Sequence, residues 1–113
     1  MKTLFSAACA LALLAHAVPA AAAVTHERKT VLDFGIGSQT QCVYFRLQGV
    51  SVADPDVMNA AYFTLSTSQT NFAEMYAVLL TARALNAPVN VTTTGTAGPC
   101  GYAAVAGIGI LTP

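Results

Sequence analysis

The chain has 113 residues, 55% of them hydrophobic and only 9% charged, and its five basic and five acidic side chains cancel to zero net charge. So few Lys and Arg, none gathered into a broad patch, exclude a nucleic-acid-binding surface, because phosphates are held by clustered positive charge. The length suits one domain, and a surface so poor in charge points to apolar area covered by a partner or by sister subunits.

The first element is a leader. Met1-Lys2 carries one positive charge, and the segment from Leu4 to Val18 is uncharged and interrupted only by Ser6 and His16. This apolar run is shorter than the about 20 residues that span a bilayer core, and the small residues Pro19-Ala20-Ala21-Ala22-Ala23 follow it directly. The pattern predicts a cleavable secretory signal peptide over 1–23, cut between Ala23 and Val24, give or take about three residues. A single domain over 24–113 remains, secreted or periplasmic, with no membrane span after cleavage. Cys9 leaves with the leader, so Cys42 and Cys100 form an even pair in an oxidising compartment and read as one disulfide. Closing a loop of that length contributes roughly 4 kcal/mol in the chain-entropy picture.

Thr30-Val31-Leu32-Asp33-Phe34-Gly35-Ile36-Gly37 reads as a first strand running into a turn at Ser38-Gln39-Thr40, and Cys42–Leu47 as its hairpin partner, ended by Gln48-Gly49. Asp54-Pro55-Asp56 marks a turn, expected to be solvated rather than a calcium or acid/base site. Ala60–Leu65 is the third strand. From Asn71 the period changes to about 3.6: Phe72, Met75, Tyr76, Leu79 and Leu80 share one helix face, with Asn71 and Glu74 placed as a capping box. Asn86 is placed to take the left-handed position after the helix, and Pro88 stops it. Val89–Thr94 is the fourth strand, Gly95–Pro99 a turn, and Tyr102–Leu111 contains the fifth. The expected fold is mainly β with one helix, a small five-stranded OB-type barrel in the order β-β-β-α-β-β, with an open α+β sheet or a sandwich fragment as alternatives.

The residues offer little chemistry. His26 is the one histidine after the leader, near a terminus expected to fray, so no catalytic triad or dyad has a base. Cysteines this far apart and one histidine make no metal site. Gly35-Ile36-Gly37 and Gly107-Ile108-Gly109 lack the rest of a phosphate-binding loop and read as turn or tight-packing glycines. Asn90-Val91-Thr92 is a glycosylation sequon inside a predicted strand. The expectation is a protein without enzymatic activity or cofactor. Aromatics are more telling: alternation sends Tyr44 and Phe45 to opposite faces, and likewise Tyr62 and Phe63, so one of each pair is free to face a sugar or a neighbouring subunit. The helix face opposite the core carries Ala77, Thr81 and Ala84, small residues that suit a close subunit contact.

Two segments carry a family likeness. Tyr44-Phe45-x-Leu47-x-Gly49 resembles the second-strand pattern of the subtilase cytotoxin B subunit-like family, which is related to the B subunits of pertussis-like and typhoid AB5 toxins. Phe72-x-x-Met75-Tyr76-x-x-x-Leu80, followed by Pro88-Val89-x-Val91, resembles that family's helix and next strand, with Asn86 where the family has Gly. The Ala104-Val105 and Ile108 region continues the likeness more weakly. The resemblance implies an OB-type barrel in a ring of five, helices lining the pore, glycans bound outside and a separate enzymatic A subunit. Glu27-Arg28-Lys29 stands where the family's sialic-acid-contacting serine lies, Thr92 and Thr93 replace its tyrosines, and Arg46 takes the place of a cysteine. No glycan-binding residue is therefore carried over. The functional expectation is an exported, non-catalytic, carbohydrate-recognising, oligomeric binding subunit; a stand-alone exported protein-binding or inhibitor domain is the alternative.

Overall fold

The computed structural model describes residues 23–37 and 41–112; residues 1–22 of the expected leader at 1–23 and the expected turn at Ser38-Gln39-Thr40 lie outside the described residues. The domain is mainly β with one helix. Its strands are β1 (Thr25–Lys29), β2 (Val31–Ile36), β3 (Cys42–Leu47), β4 (Phe63–Ser66), β5 (Val89–Thr93) and β6 (Ala103–Ile110), with helix α1 (Phe72–Leu85) between β4 and β5. Among the described residues no helix is long and apolar enough to cross a membrane.

The strands form one six-stranded mixed sheet in the order β1-β5-β6-β4-β3-β2, with β4 and β6 parallel and the other neighbours antiparallel. This corrects the expected five strands and their β-β-β-α-β-β order; the sheet is not the closed five-stranded barrel, and the open-sheet alternative describes it better. The difference arises at one place. The N-terminal strand begins at Thr25, so His26–Lys29 is paired strand and not a frayed end, and it breaks around Thr30. Arg28 takes a left-handed φ of 51°, its N–H donates to the side-chain oxygen of Asn90 at 2.9 Å, and the β1–β5 register slips between His26 and Lys29. Such a bulge re-aims the chain, so the first arm runs along β5 and the second along β3.

Period-two patterning then builds the core. In β3, Val43, Phe45 and Leu47 are buried inward while Tyr44 and Arg46 face out; in β5, Val89, Val91 and Thr93 are buried while Asn90 and Thr92 are partly exposed. Phe45 and Phe63, both fully buried, stack with centroids 5.2 Å apart. Helix α1 lays Met75, Leu79 and Ala82 into this core, with Phe72 and Tyr76 packed at its margin; Leu80, expected on the inner face, is 38% exposed. The expected capping box is absent: Asn71 makes no side-chain cap bond. At the other end Asn86 takes φ 51°, its N–H reaching the Arg83 carbonyl and that of Ala87 the Ala82 carbonyl at 2.9 Å. That paired arrangement satisfies carbonyls that the helix leaves open.

The Asp54-Pro55-Asp56 turn is not simply solvated. Asp56 is exposed, but Asp54 is fully buried, accepting the backbone N–H of Asp56 at 3.0 Å and the Thr93 hydroxyl at 2.6 Å. His26 pins the same loop through its ring nitrogen, 2.7 Å from the Ala53 carbonyl oxygen, while meeting Phe63 edge-on at 5.3 Å. A short polar side chain beside a proline looks like surface in sequence; what buries it is a tertiary contact with β5.

Candidate functional site

The residues that strand alternation turns outward from β3, together with the chain entering β4 and β6, make one continuous surface feature. Tyr44 projects from β3 opposite Phe45, and Tyr62 sits one residue before Phe63, so each ring falls on the face away from the stacked phenylalanines. Tyr102 precedes β6 and lies between them. Its ring centroid is 5.8 Å from that of Tyr44, edge-on, and 5.3 Å from that of Tyr62, tilted. Three aromatic rings from three distant parts of the chain thus form a row, with Tyr62 40% exposed at one end.

The row is bounded by charge on one side. Asp33 of β2 and Arg46 of β3 are cross-strand partners, and both guanidinium nitrogens facing the carboxylate bond it, Nε at 3.0 Å and Nη2 to the other oxygen. This bidentate grip holds the Asp33 carboxyl below its ordinary value and raises that of Arg46 further. Arg46 also lies over the Tyr62 ring, its Cζ 5.7 Å from the centroid. The flexible side chain is therefore fixed in one orientation at the edge of the aromatic row.

On the other side of Tyr44 a groove of about 490 Å³ is walled by Gln41, Ser66, Ser68, Pro99 and Gly101, with Cys42 and Cys100 along it. The two cysteines are joined as the sequence predicts, their Cα atoms 5.8 Å apart. The bond ties the start of β3 to the short 3₁₀ turn Gly98–Cys100 and fixes both rims. Ser66 and Ser68 share a hydrogen bond of 2.8 Å between hydroxyls. Toward β2, Tyr44 walls a second, shallower hollow of about 340 Å³ with Asp33, Gly37 and Tyr62. Gly37 is here a tight-packing glycine: a Cβ on it would lie 2.9 Å from Tyr44 Cε2.

Hydroxyls, an amide, aromatic faces and one fixed guanidinium make a surface suited to holding a neutral or acidic polyhydroxylated molecule, since rings supply apolar contact and the polar groups fix orientation. Among the described residues, no His, Asp, Glu or Lys lines the larger groove. Among the described residues no three His, Cys, Asp or Glu gather as a metal-binding group.

The other residues singled out in the sequence lie elsewhere. Ala77, Thr81 and Ala84 are exposed on α1, together with Leu85 at 66%, and the Thr81 hydroxyl already donates to the Ala77 carbonyl at 2.8 Å. Asn90 of the sequon is half-buried and engaged by Arg28. Thr93, where the toxin subunits have a tyrosine, is buried against Asp54 and unavailable to a ligand. Ala23 and Val24 enter β1, with Val24 bonded to Thr93. The grouping of Tyr44, Tyr62 and Tyr102 was missed in sequence, although alternation marked the outward members of two pairs. Comparison of the chain with protein-family models, with characterised proteins and with solved structures finds no match.

Proposed function

We propose that this chain is an exported, non-catalytic binding subunit that recognises carbohydrate and acts as an oligomer, in the manner of the toxin B subunits its sequence resembles. The carrying observation is the Tyr44–Tyr102–Tyr62 row beside a hydroxyl-rich groove. A pyranose offers a face of C–H groups to an aromatic ring and a rim of hydroxyls to polar side chains, which is the division of surface found here. The leader-like start and the disulfide support export. Self-association, as a ring of five by resemblance, is supported by the exposed Ala77, Ala84 and Leu85 on α1, and a separate enzymatic chain would be what the ring carries.

A glycan array probed with the processed protein tests the reading. Binding is expected, and Tyr62→Ala should weaken it by about tenfold, the equivalent of 1.4 kcal/mol. Silence across the array would leave the protein-binding alternative, which Ile36, 70% exposed beside the row, favours. Light scattering tests the oligomer separately: a monomer at micromolar concentration refutes the ring.

A further inference from the structure

The loop between β3 and β4 buries a carboxylate for which the tyrosine groove has no use. Asp54 is 0% exposed, and its two oxygens accept the Asp56 N–H and the Thr93 hydroxyl. Among the described residues the one ion pair joins Arg46 to Asp33, so Asp54 has no cationic partner there. A carboxylate out of water asks for an opposite charge as well as hydrogen bonds.

Thr93 leads to one. It is also 0% exposed, and the oxygen that donates its proton to Asp54 accepts the N–H of Val24 at 3.1 Å, while the Thr93 N–H donates to the Val24 carbonyl at 2.9 Å. Two bonds sharing one hydroxyl bring the Val24 nitrogen within about 6 Å of the carboxylate, a range over which opposite charges in a protein interact appreciably. In the uncut chain that nitrogen is an uncharged amide. It is also the first atom after the alanine run that ends the leader.

The geometry points to the Ala23–Val24 bond as the processing site and to the α-ammonium released there as the counter-charge of Asp54, so that removing the leader completes the buried network. This rests on the export reading above. A signal peptidase adds water across the bond: the hydroxyl goes to the Ala23 carbonyl carbon and the hydrogen to the Val24 nitrogen. The new amine takes one more proton from solvent, and the new Ala23 acid releases one. The ammonium keeps a donor for Thr93 and gains two more. The other titratable groups in this neighbourhood are His26, on the Ala53 carbonyl, and the exposed Asp56.

The test begins with the whole chain expressed in an exporting bacterial host and the exported protein weighed intact. A mass for Val24–Pro113 is expected. A chain still carrying its leader overturns this proposal and the export reading together, whereas a cut at another bond overturns this proposal alone. Protein beginning at Val24 is then compared in urea with protein carrying Ala23 in front, each with and without Asp54→Asn. The processed form should fold with an equilibrium constant about tenfold larger, and Asp54→Asn should shrink that ratio below about twofold. Equal constants, or a ratio that survives Asp54→Asn, overturn the pairing. If the Asp54 variant does not fold, acetylation of the processed Lys29→Arg protein replaces it, since it keeps an N–H and removes the charge; a loss under about twofold then refutes the ammonium's role.

Discussion

Replacing Cys42 and Cys100 together by serine removes the one covalent link between the first half of the sheet and the turn that enters β6. The bridged residues are 58 apart in sequence. In the chain-entropy picture a closed loop of that size raises the free energy of the unfolded state by about 4 kcal/mol. A domain of this size has a total stability of about 5–10 kcal/mol, so roughly half of it is at stake. At about 4–8 °C per kcal/mol for a small domain, the melting temperature of the double variant should fall by some 15–30 °C. Urea denaturation followed by tyrosine fluorescence and by circular dichroism measures the loss directly, with the untreated protein first shown to titrate no thiol after denaturation. The groove gives a second readout, because Cys42 and Cys100 line it and hold Pro99 and Gly101 opposite Gln41. Ligand affinity should therefore fall in variants that are still folded. A loss under about 1 kcal/mol would refute the entropy reasoning, showing that the reduced chain already keeps these ends together.

Three further outcomes are expected. Gly37→Ala should drive the Tyr44 ring aside, because the added methyl lies 2.9 Å from Cε2; the Tyr44 ring resonances should shift and the proposed glycan binding weaken by about tenfold, while the melting temperature changes little. Asp33 should titrate below the ordinary carboxylate value of about 3.9, as followed by NMR of its side-chain carbon, and Arg46→Met should move it upward, since the Arg46 hydrogen bond is the main cause. With a depressed folded-state value, whatever this pair adds to stability is present above the unfolded value and is lost as pH falls through the folded one. Asn86→Ala should destabilise by about 1 kcal/mol, because alanine tolerates the left-handed φ of 51° less well than asparagine, whereas Asn86→Gly, which has no Cβ, should be neutral or better; thermal melts separate the two.

Much of the fold was legible because its signals are local. The helix was marked by the 3.6 period from Phe72 to Leu80 and by Asn86 with Pro88, and five of the six strands, β2 to β6, by alternation, β-branched residues and flanking turn signals. The tyrosines were half legible: the Tyr-Phe dipeptides stated that one ring must face outward, yet nothing in sequence places Tyr102, forty residues beyond Tyr62, between the other two. Asp54 was misread for the same reason, since the turn chemistry of Asp-Pro-Asp is local and the Thr93 hydroxyl that buries it comes from a strand across the helix. The capping box failed because the Asn71 side chain makes no bond to the helix, although residue types and spacing suited one.

By itself, then, the sequence determined what neighbours along the chain decide: a charge-poor composition, strands with one inward face, one helix with a left-handed stop, and the pairing of Cys42 with Cys100. Tertiary structure alone decided how many strands the sheet counts, because the break at Thr30 follows the bulge around Arg28 in the pairing of β1 with β5, and the Asn90 side chain takes up the Arg28 N–H. It also decided which polar groups are core and which are surface. Hydrophobic periodicity reports a residue's face on its own element, whereas burial depends on which other element arrives to cover that face, and only the assembled sheet brings Val24, Asp54 and Thr93, or three separate tyrosines, to one place.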